Sequence, residues 1–250
     1  MGGAVSKAVV NGLIIAYIGG GSRGWAHVLM IGLALEEQLS GTVKLYDIDY
    51  EAVVKNAVIG NRLTEREDVR GKWRYHAVQV IEEALDGADF VILSILPGTF
   101  REMHSDVHTP EKYGVYQSVG DTVGPGGVIR SLRLIPMYLG FAEKIKQCCP
   151  NARVINYTNP MTLCTRSLCE AFPRIKSFGC CHEVFNTQED AVAMLKRSKG
   201  LQGVTRREIK TNVLGINHFT WIDQISYQNM DLMPLYHEVA GKSASSGFAR

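Results

Sequence analysis

The chain of 250 residues is 46% hydrophobic and 21% charged, the balance of an ordinary globular protein rather than a disordered one. A formal charge of +2 is near neutral, which gives no electrostatic basis for binding nucleic acid or an anionic membrane. The most apolar stretches, such as residues 90–96, are far too short to cross a bilayer, and the opening MGGAVSKAVVNG lacks the order of a secretory signal.

With no export signal, Cys148, Cys149, Cys164, Cys169, Cys180 and Cys181 read as thiols, and the expected compartment is the cytoplasm. Residues 1–12 read as a short tail. The run LIIAYI at 13–18 reads as a buried strand ending at Gly19-Gly20-Gly21, and residues 24–39 follow with apolar positions at helical spacing. A strand at 43–46 and a helix at 51–67 come next, then a strand at 90–96 that breaks at Pro97-Gly98. Residues 131–147 read as a helix, 153–157 as a strand breaking at Asn159-Pro160, 162–171 as a helix, 175–180 as a strand and 188–199 as a helix. Strands alternating with helices predict a doubly wound parallel sheet of the Rossmann type, over residues 13–200. Past Thr211 the pattern changes: residues 212–222 are apolar and strand-like around His218. They are expected to begin a second, α+β domain over 201–250, one that continues beyond Arg250.

Gly19, Gly21 and Gly24 satisfy G-x-G-x-x-G between a predicted strand and a predicted helix. The first glycine turns the chain, the second admits a pyrophosphate, and the third lets helix and strand pack closely. The pyrophosphate is then expected at the helix N-terminus. Asp47 ends the second strand 23 residues after Gly24, where its carboxylate can accept both ribose hydroxyls and would repel a 2′-phosphate; NAD is therefore expected over NADP. Gly19, Gly20, Gly21, Ser22, Gly24 and Asp47 are the candidate cofactor contacts. Pro97, Gly98, Asn156 and Asn159 join them at later strand ends, on the edge where open α/β sheets bind ligands.

Four further segments admit two readings each. The glycine-rich stretch GDTVGPGG at 120–127, with Asp121, is either a surface connection or a loop facing the ligand crevice. Asn159-Pro160-Met161 is either a turn starter or a polar contact to a sugar hydroxyl or the nicotinamide. Cys180-Cys181-His182-Glu183 ends a strand, and a buried cysteine there is commonly core. His218, in Gly215-Ile216-Asn217-His218, is either a satisfied core histidine or a ligand, and its spacing of 37 positions from Cys181 does not by itself indicate a metal site.

Taken in order, these segments resemble the family 4 glycoside hydrolases, NAD- and divalent-metal-dependent glycosidases. The fingerprint, Asp47, Asn159-Pro160-Met161, Cys181-His182 and Gly215 to His218 follow the family's sequence of motifs over nearly all of residues 13–223. Within the family, Cys181-His182-Glu183-Val184 is similar to the form found in bacterial α-galacturonidases. The resemblance implies that Cys181 and His218 ligate the metal and that Asn159 contacts substrate near it. Such a mixed S/N/O site would suit Mn2+.

The implied activity is hydrolysis of α-galacturonides by a redox route, an exception to the two-carboxylate scheme. NAD oxidises C3 of the sugar, the C2 proton becomes acidic, the glycosidic oxygen is eliminated, water adds and the hydride returns. His182 is the candidate acid for the leaving group, since an imidazole suits proton transfer near neutral pH; the other reading is that it only orients the site or contacts substrate. A uronate substrate calls for a cation, for which Arg130 is the candidate, a solvated helix-start arginine being the other reading. The family's tyrosine base is expected beyond Arg250, and a homo-oligomer, dimer or tetramer, is expected with no nucleic-acid or membrane partner. Two other functions fit the fold: a 2-hydroxy-acid dehydrogenase, which would accumulate NADH and need no metal, and a non-catalytic NAD-binding module.

Overall fold

The computed structural model describes residues 9–117 and 121–244. They form two compact units that divide between Cys180 and Cys181. The first unit is built on strands β1 (Val10–Ile18), β2 (Leu39–Tyr46), β3 (Lys72–Ala77), β4 (Phe90–Leu93), β5 (Arg153–Asn156) and β6 (Lys176–Gly179). They lie in the order β3-β2-β1-β4-β5-β6, every pairing parallel. The order reverses between β1 and β4, which places a switch point at the carboxyl end of β1, where such sheets take their ligands.

The sequence of β1 explains why both faces of this sheet are covered. Successive strand residues point to opposite faces, and Ile15, Ala16, Tyr17 and Ile18 are all buried. Ala16 and Ile18 pack into one core with Leu134, Tyr138, Ala142 and Ile145 of helix α5 (Gly124–Cys148) and Leu168 of α6 (Met161–Ala171). Ile15 and Tyr17 enter a second core with Ala26, Met30 and Leu33 of α1 (Trp25–Ala34) and Val53 and Ala57 of α2 (Tyr50–Thr64). A strand apolar on both faces is the pattern of a parallel sheet between two helical layers.

Several element bounds differ from expectation. The strand β1 begins at Val10, inside the expected tail, and residues 1–8 lie outside the described set. Helix α1 stops at Ala34, so β2 begins at Leu39, and β4 ends at Leu93. The edge strand β3, the short helix α3 (Ile81–Leu85) and helix α4 (Phe100–His108) have no counterpart in the sequence reading. Helix α5 starts at Gly124, with Pro125 in its first turn, where proline's fixed φ and missing N–H are tolerated. The second half of the glycine-rich stretch is thus helix, while its Gly120 lies outside the described residues.

The second unit contains helix α7 (Glu183–Lys199), an antiparallel sheet of β7 (Ile209–Ile216), β8 (Phe219–Tyr227) and β9 (Met230–Asp231), and helix α8 (Met233–Ser243). The expected boundary at 200/201 assigned α7 to the nucleotide domain. Its buried face, Ala191, Met194 and Leu195, packs instead with Ile209, Ile225 and Leu232, and this core moves the division to Cys181.

Candidate functional site

Strand β1 runs straight into the glycine loop. Gly19 has φ +99°, and a β-carbon there would stand 1.9 Å from the Ser94 carbonyl oxygen. A β-carbon on Gly20 would meet Leu45 Cβ at 2.8 Å, and one on Gly21 would meet Asp47 Oδ2 at 3.0 Å. Gly24, by contrast, faces open space. The close approach expected of the third fingerprint glycine is therefore made by Gly20 against β2, and Gly24 is the residue before the first turn of α1.

Backbone and side-chain bonds fix the loop. The N–H groups of Gly19 and Gly20 both donate to the Tyr46 carbonyl, at 2.9 and 2.8 Å. Asp47 accepts the Gly21 N–H at 3.0 Å and the Asp49 N–H at 3.2 Å, which orients its carboxylate while leaving lone pairs for a ligand. Ser22 Oγ accepts from the Gly24 and Trp25 N–H groups at 3.3 and 3.1 Å, so its hydroxyl caps α1. Sequence reasoning missed Asn56 of α2. Only 4% exposed, it donates to the carbonyls of Gly20 (2.7 Å) and Ser22 (2.9 Å) and lies 2.8 Å from His27 Nε2. A buried asparagine within an apolar helix face carries no motif; its only signal is its polarity at a core position.

Asn56→Ala removes the donors to two loop carbonyls. The expected cost is about 1–3 kcal/mol of stability and, through the loosened loop, about tenfold in dinucleotide affinity. Calorimetric titration with NAD alongside thermal melts checks both; an unchanged NAD affinity would mean that the clamp serves folding alone.

At the neighbouring strand ends, Pro97 and Gly98 (φ +82°) leave the carboxyl edge of β4 beside β1. Asn156 corrects the sequence reading. It is fully buried; its Oδ1 accepts from Tyr138 Oη (2.6 Å) and the Thr158 N–H (3.0 Å), while Nδ2 faces Thr158 O, Met161 O and Thr165 Oγ1. The bonding capacity of its side chain is consumed internally, so that side chain shapes the turn that carries Asn159 and has none left to offer a ligand. Asn159 itself is half-buried and precedes a cis proline. Arg130 is not a solvated arginine: it is buried in α5, with Nη1 3.7 Å from the buried Asp121 carboxylate. Its Nη2 has no hydrogen-bond partner among the described residues.

In the second unit, the chain folds three ligand types together. Cys181, Glu183 and His218 present donor atoms within 4.8 Å of one another, all half-buried. Cys181 Sγ lies 3.4 Å from His218 Nε2 and 3.5 Å from the Glu183 N–H. Thr220 Oγ1 donates to Glu183 Oε2 at 2.9 Å. Glu183 opens α7, while His182, the residue before it, is exposed. His218 occupies the turn between β7 and β8 with φ +126°, a conformation costly for a residue with a side chain. Beside it, the side-chain amide oxygen Oδ1 of Asn217 is buried without a donor among the described residues. Thiolate, imidazole and carboxylate at this separation fit a divalent first-row ion. Glu183 is the member of this group that sequence reasoning missed; a carboxylate two residues after the candidate ligand Cys181 is the available signal.

Residues 14–197 match the family 4 glycosyl hydrolases. The chain is 63% identical over 239 residues to an alpha-galacturonidase of Thermoanaerobacterium saccharolyticum, covering 96% of this chain and 51% of that protein. It superimposes on the crystal structure of Bacillus subtilis lplD with a TM-score of 0.86 and 51% identity, over 96% of this chain and 54% of that one. A 6-phospho-alpha-glucosidase from gut microorganisms, crystallised with NAD and Mn2+, shares the fold with a TM-score of 0.77 at 22% identity, over 92% of this chain and 51% of that one. The chain thus spans about half the length of the relatives it matches.

Proposed function

Given that the chain belongs to family 4 of the glycosyl hydrolases, we propose that it is the NAD- and metal-binding part of an enzyme that hydrolyses α-galacturonides. The observation that carries this reading is the gathering of Cys181, Glu183 and His218 in a chain that also holds a glycine cradle at a sheet switch point. The likeness to alpha-galacturonidases supports the choice of sugar acid.

When bound, NAD would supply hydride removal and return at C3 of the sugar, and Mn2+ would supply polarisation of the oxygen there, so that cleavage needs no carboxylate pair. The residues of this chain bind and orient. Asp47, aimed by the Gly21 and Asp49 N–H groups, would take the ribose hydroxyls and disfavour a 2′-phosphate. Cys181 and His218 would hold the ion, and Asn159 would contact the sugar. His182, exposed at the head of α7, would give its proton to the leaving oxygen. Arg130, through an Nη2 with no hydrogen-bond partner among the described residues, would meet the uronate carboxyl. Among the described residues no helix is long and apolar enough to cross a membrane, and the working form proposed is a cytoplasmic homo-oligomer acting on a small sugar acid.

The test is release of galacturonate from digalacturonate by the protein at its natural length, with NAD, Mn2+ and a reducing thiol. Cleavage requiring both cofactors, with no NADH accumulating, is the expected result. Cleavage of neutral α-glycosides alone would discard the sugar assignment, and NADH build-up from a hydroxy acid would replace the glycosidase by a dehydrogenase.

A further inference from the structure

Two protein donors, one sulfur and one nitrogen, are a thin hold on a hard divalent ion. Catalytic zinc sites use three protein donors and leave a position open for substrate, and an ion such as Mn2+ favours carboxylate oxygen. The second unit contains that oxygen. Resting on the metal reading above, we propose that Glu183 is the third protein ligand of the ion, and that Thr220 is the residue that positions it.

Three observations converge. The Glu183 carboxylate lies within 4.8 Å of both the Cys181 sulfur and the His218 imidazole, close enough for one ion to touch all three. Thr220 Oγ1 donates to Oε2 of Glu183 at 2.9 Å, while the same hydroxyl also lies 3.2 Å from the Ile216 carbonyl oxygen. This holds one carboxylate oxygen, as outer hydrogen bonds orient ligating carboxylates elsewhere, and leaves the carboxylate further lone pairs for an ion. Finally, the side-chain Oδ1 of Asn217, next to His218 in the chain, is buried with no donor among the described residues, an acceptor that a hydrated ion or a sugar hydroxyl would satisfy. Thiolate and carboxylate together offset the charge of a divalent ion, so substrate oxygens would enter a site that is electrically neutral before they bind.

The competing account is structural: Glu183 opens α7, where a negative charge favours the helix N-terminus, and its bond to Thr220 ties helix to strand. Glu183→Gln separates the two, because glutamine's carbonyl oxygen can still accept from Thr220 while its neutral amide is a poor ligand. Mn2+ binding is read directly from the free-ion paramagnetic resonance signal during titration, without substrate or NAD, with a thermal melt of each metal-free protein as a check on folding. The expected result is a loss of Mn2+ affinity of about 100-fold for Glu183→Gln and about tenfold for Thr220→Val, the scale set by outer-shell losses, with metal-free melts close to wild type. Wild-type affinity in a folded Glu183→Gln would overturn the proposal and leave Cys181 and His218 as the metal site. Absence of Mn2+ binding by the wild-type protein would overturn the metal reading itself. Should Glu183→Gln not fold, Thr220→Val with wild-type affinity would equally remove the positioning role.

Discussion

His218→Gly is expected to raise the melting temperature of the metal-free protein and to abolish its stabilisation by Mn2+. The two effects have opposite signs because the proposed ligand sits on a strained backbone. Ile216 pairs with Phe219 across β7 and β8, leaving Asn217 and His218 as a two-residue turn, and His218 has φ +126°. Tight hairpin turns of this kind ordinarily use glycine or asparagine where φ is positive. A side chain held in such a region costs about 1–3 kcal/mol. Glycine relieves that strain but adds about 0.5–1 kcal/mol of chain entropy to be lost on folding, so a net gain of about 1 kcal/mol, or about 2–4 °C, is expected. The imidazole is also one of the gathered donors, 3.4 Å from the Cys181 sulfur. At an Mn2+ concentration 100 times the dissociation constant, the wild type gains about 2.7 kcal/mol, which the variant loses. A lower metal-free melting temperature would show that the imidazole is needed for packing. A retained response to Mn2+ would take His218 out of the site.

The same tension between local signal and tertiary use decides what the sequence could reveal. The apolar run of β1, the glycine loop and Asp47 are legible because strand burial, a tight turn and a strand-ending carboxylate each impose a residue type in a fixed order. Strand β3 is not: its residues Lys72, Arg74 and His76 are exposed, and only Trp73 and Tyr75 are buried against its neighbours. An edge strand with charged outer positions carries little apolar signal to separate it from a polar loop. Asn156 shows the opposite failure. A polar residue at a strand end looks the same whether it faces ligand or, as here, spends its bonds inside a turn. Helix α7 is periodic whichever sheet it covers, so periodicity could not say that Ala191 and Leu195 would pack on Ile209 and Ile225. Glu183 stayed hidden because its neighbours in space, His218 and Thr220, both lie more than 30 positions away in sequence.

Gly19→Ala and Gly24→Ala form a matched pair for the proposed nucleotide cradle, and they are expected to diverge sharply. At Gly19 the backbone has φ +99°, and the new methyl would lie 1.9 Å from the Ser94 carbonyl oxygen and 2.7 Å from its carbon. Neither atom can yield cheaply, because Ser94 follows β4 directly and its N–H donates to the Ile18 carbonyl at 2.9 Å. Relief requires the loop to leave Tyr46, whose carbonyl accepts both the Gly19 and Gly20 N–H groups. Backbone strain of about 1–3 kcal/mol adds to overpacking of about 1–3 kcal/mol, so the expected cost is about 2–6 kcal/mol with loss of NAD binding. Gly24 meets nothing within 4 Å and its φ is −118°, so alanine fits there without strain and reduces the freedom of the unfolded chain, a gain of about 0.4–1 kcal/mol. NAD affinity should stay close to wild type in this second variant unless the cofactor itself presses against Gly24. Calorimetric titration with NAD and thermal melts of both proteins make the comparison. Equal losses of affinity would mean that Gly24 is reserved for close approach of the ligand, the role the fingerprint gives to Gly21, while tolerance at Gly19 would overturn the steric account of the loop.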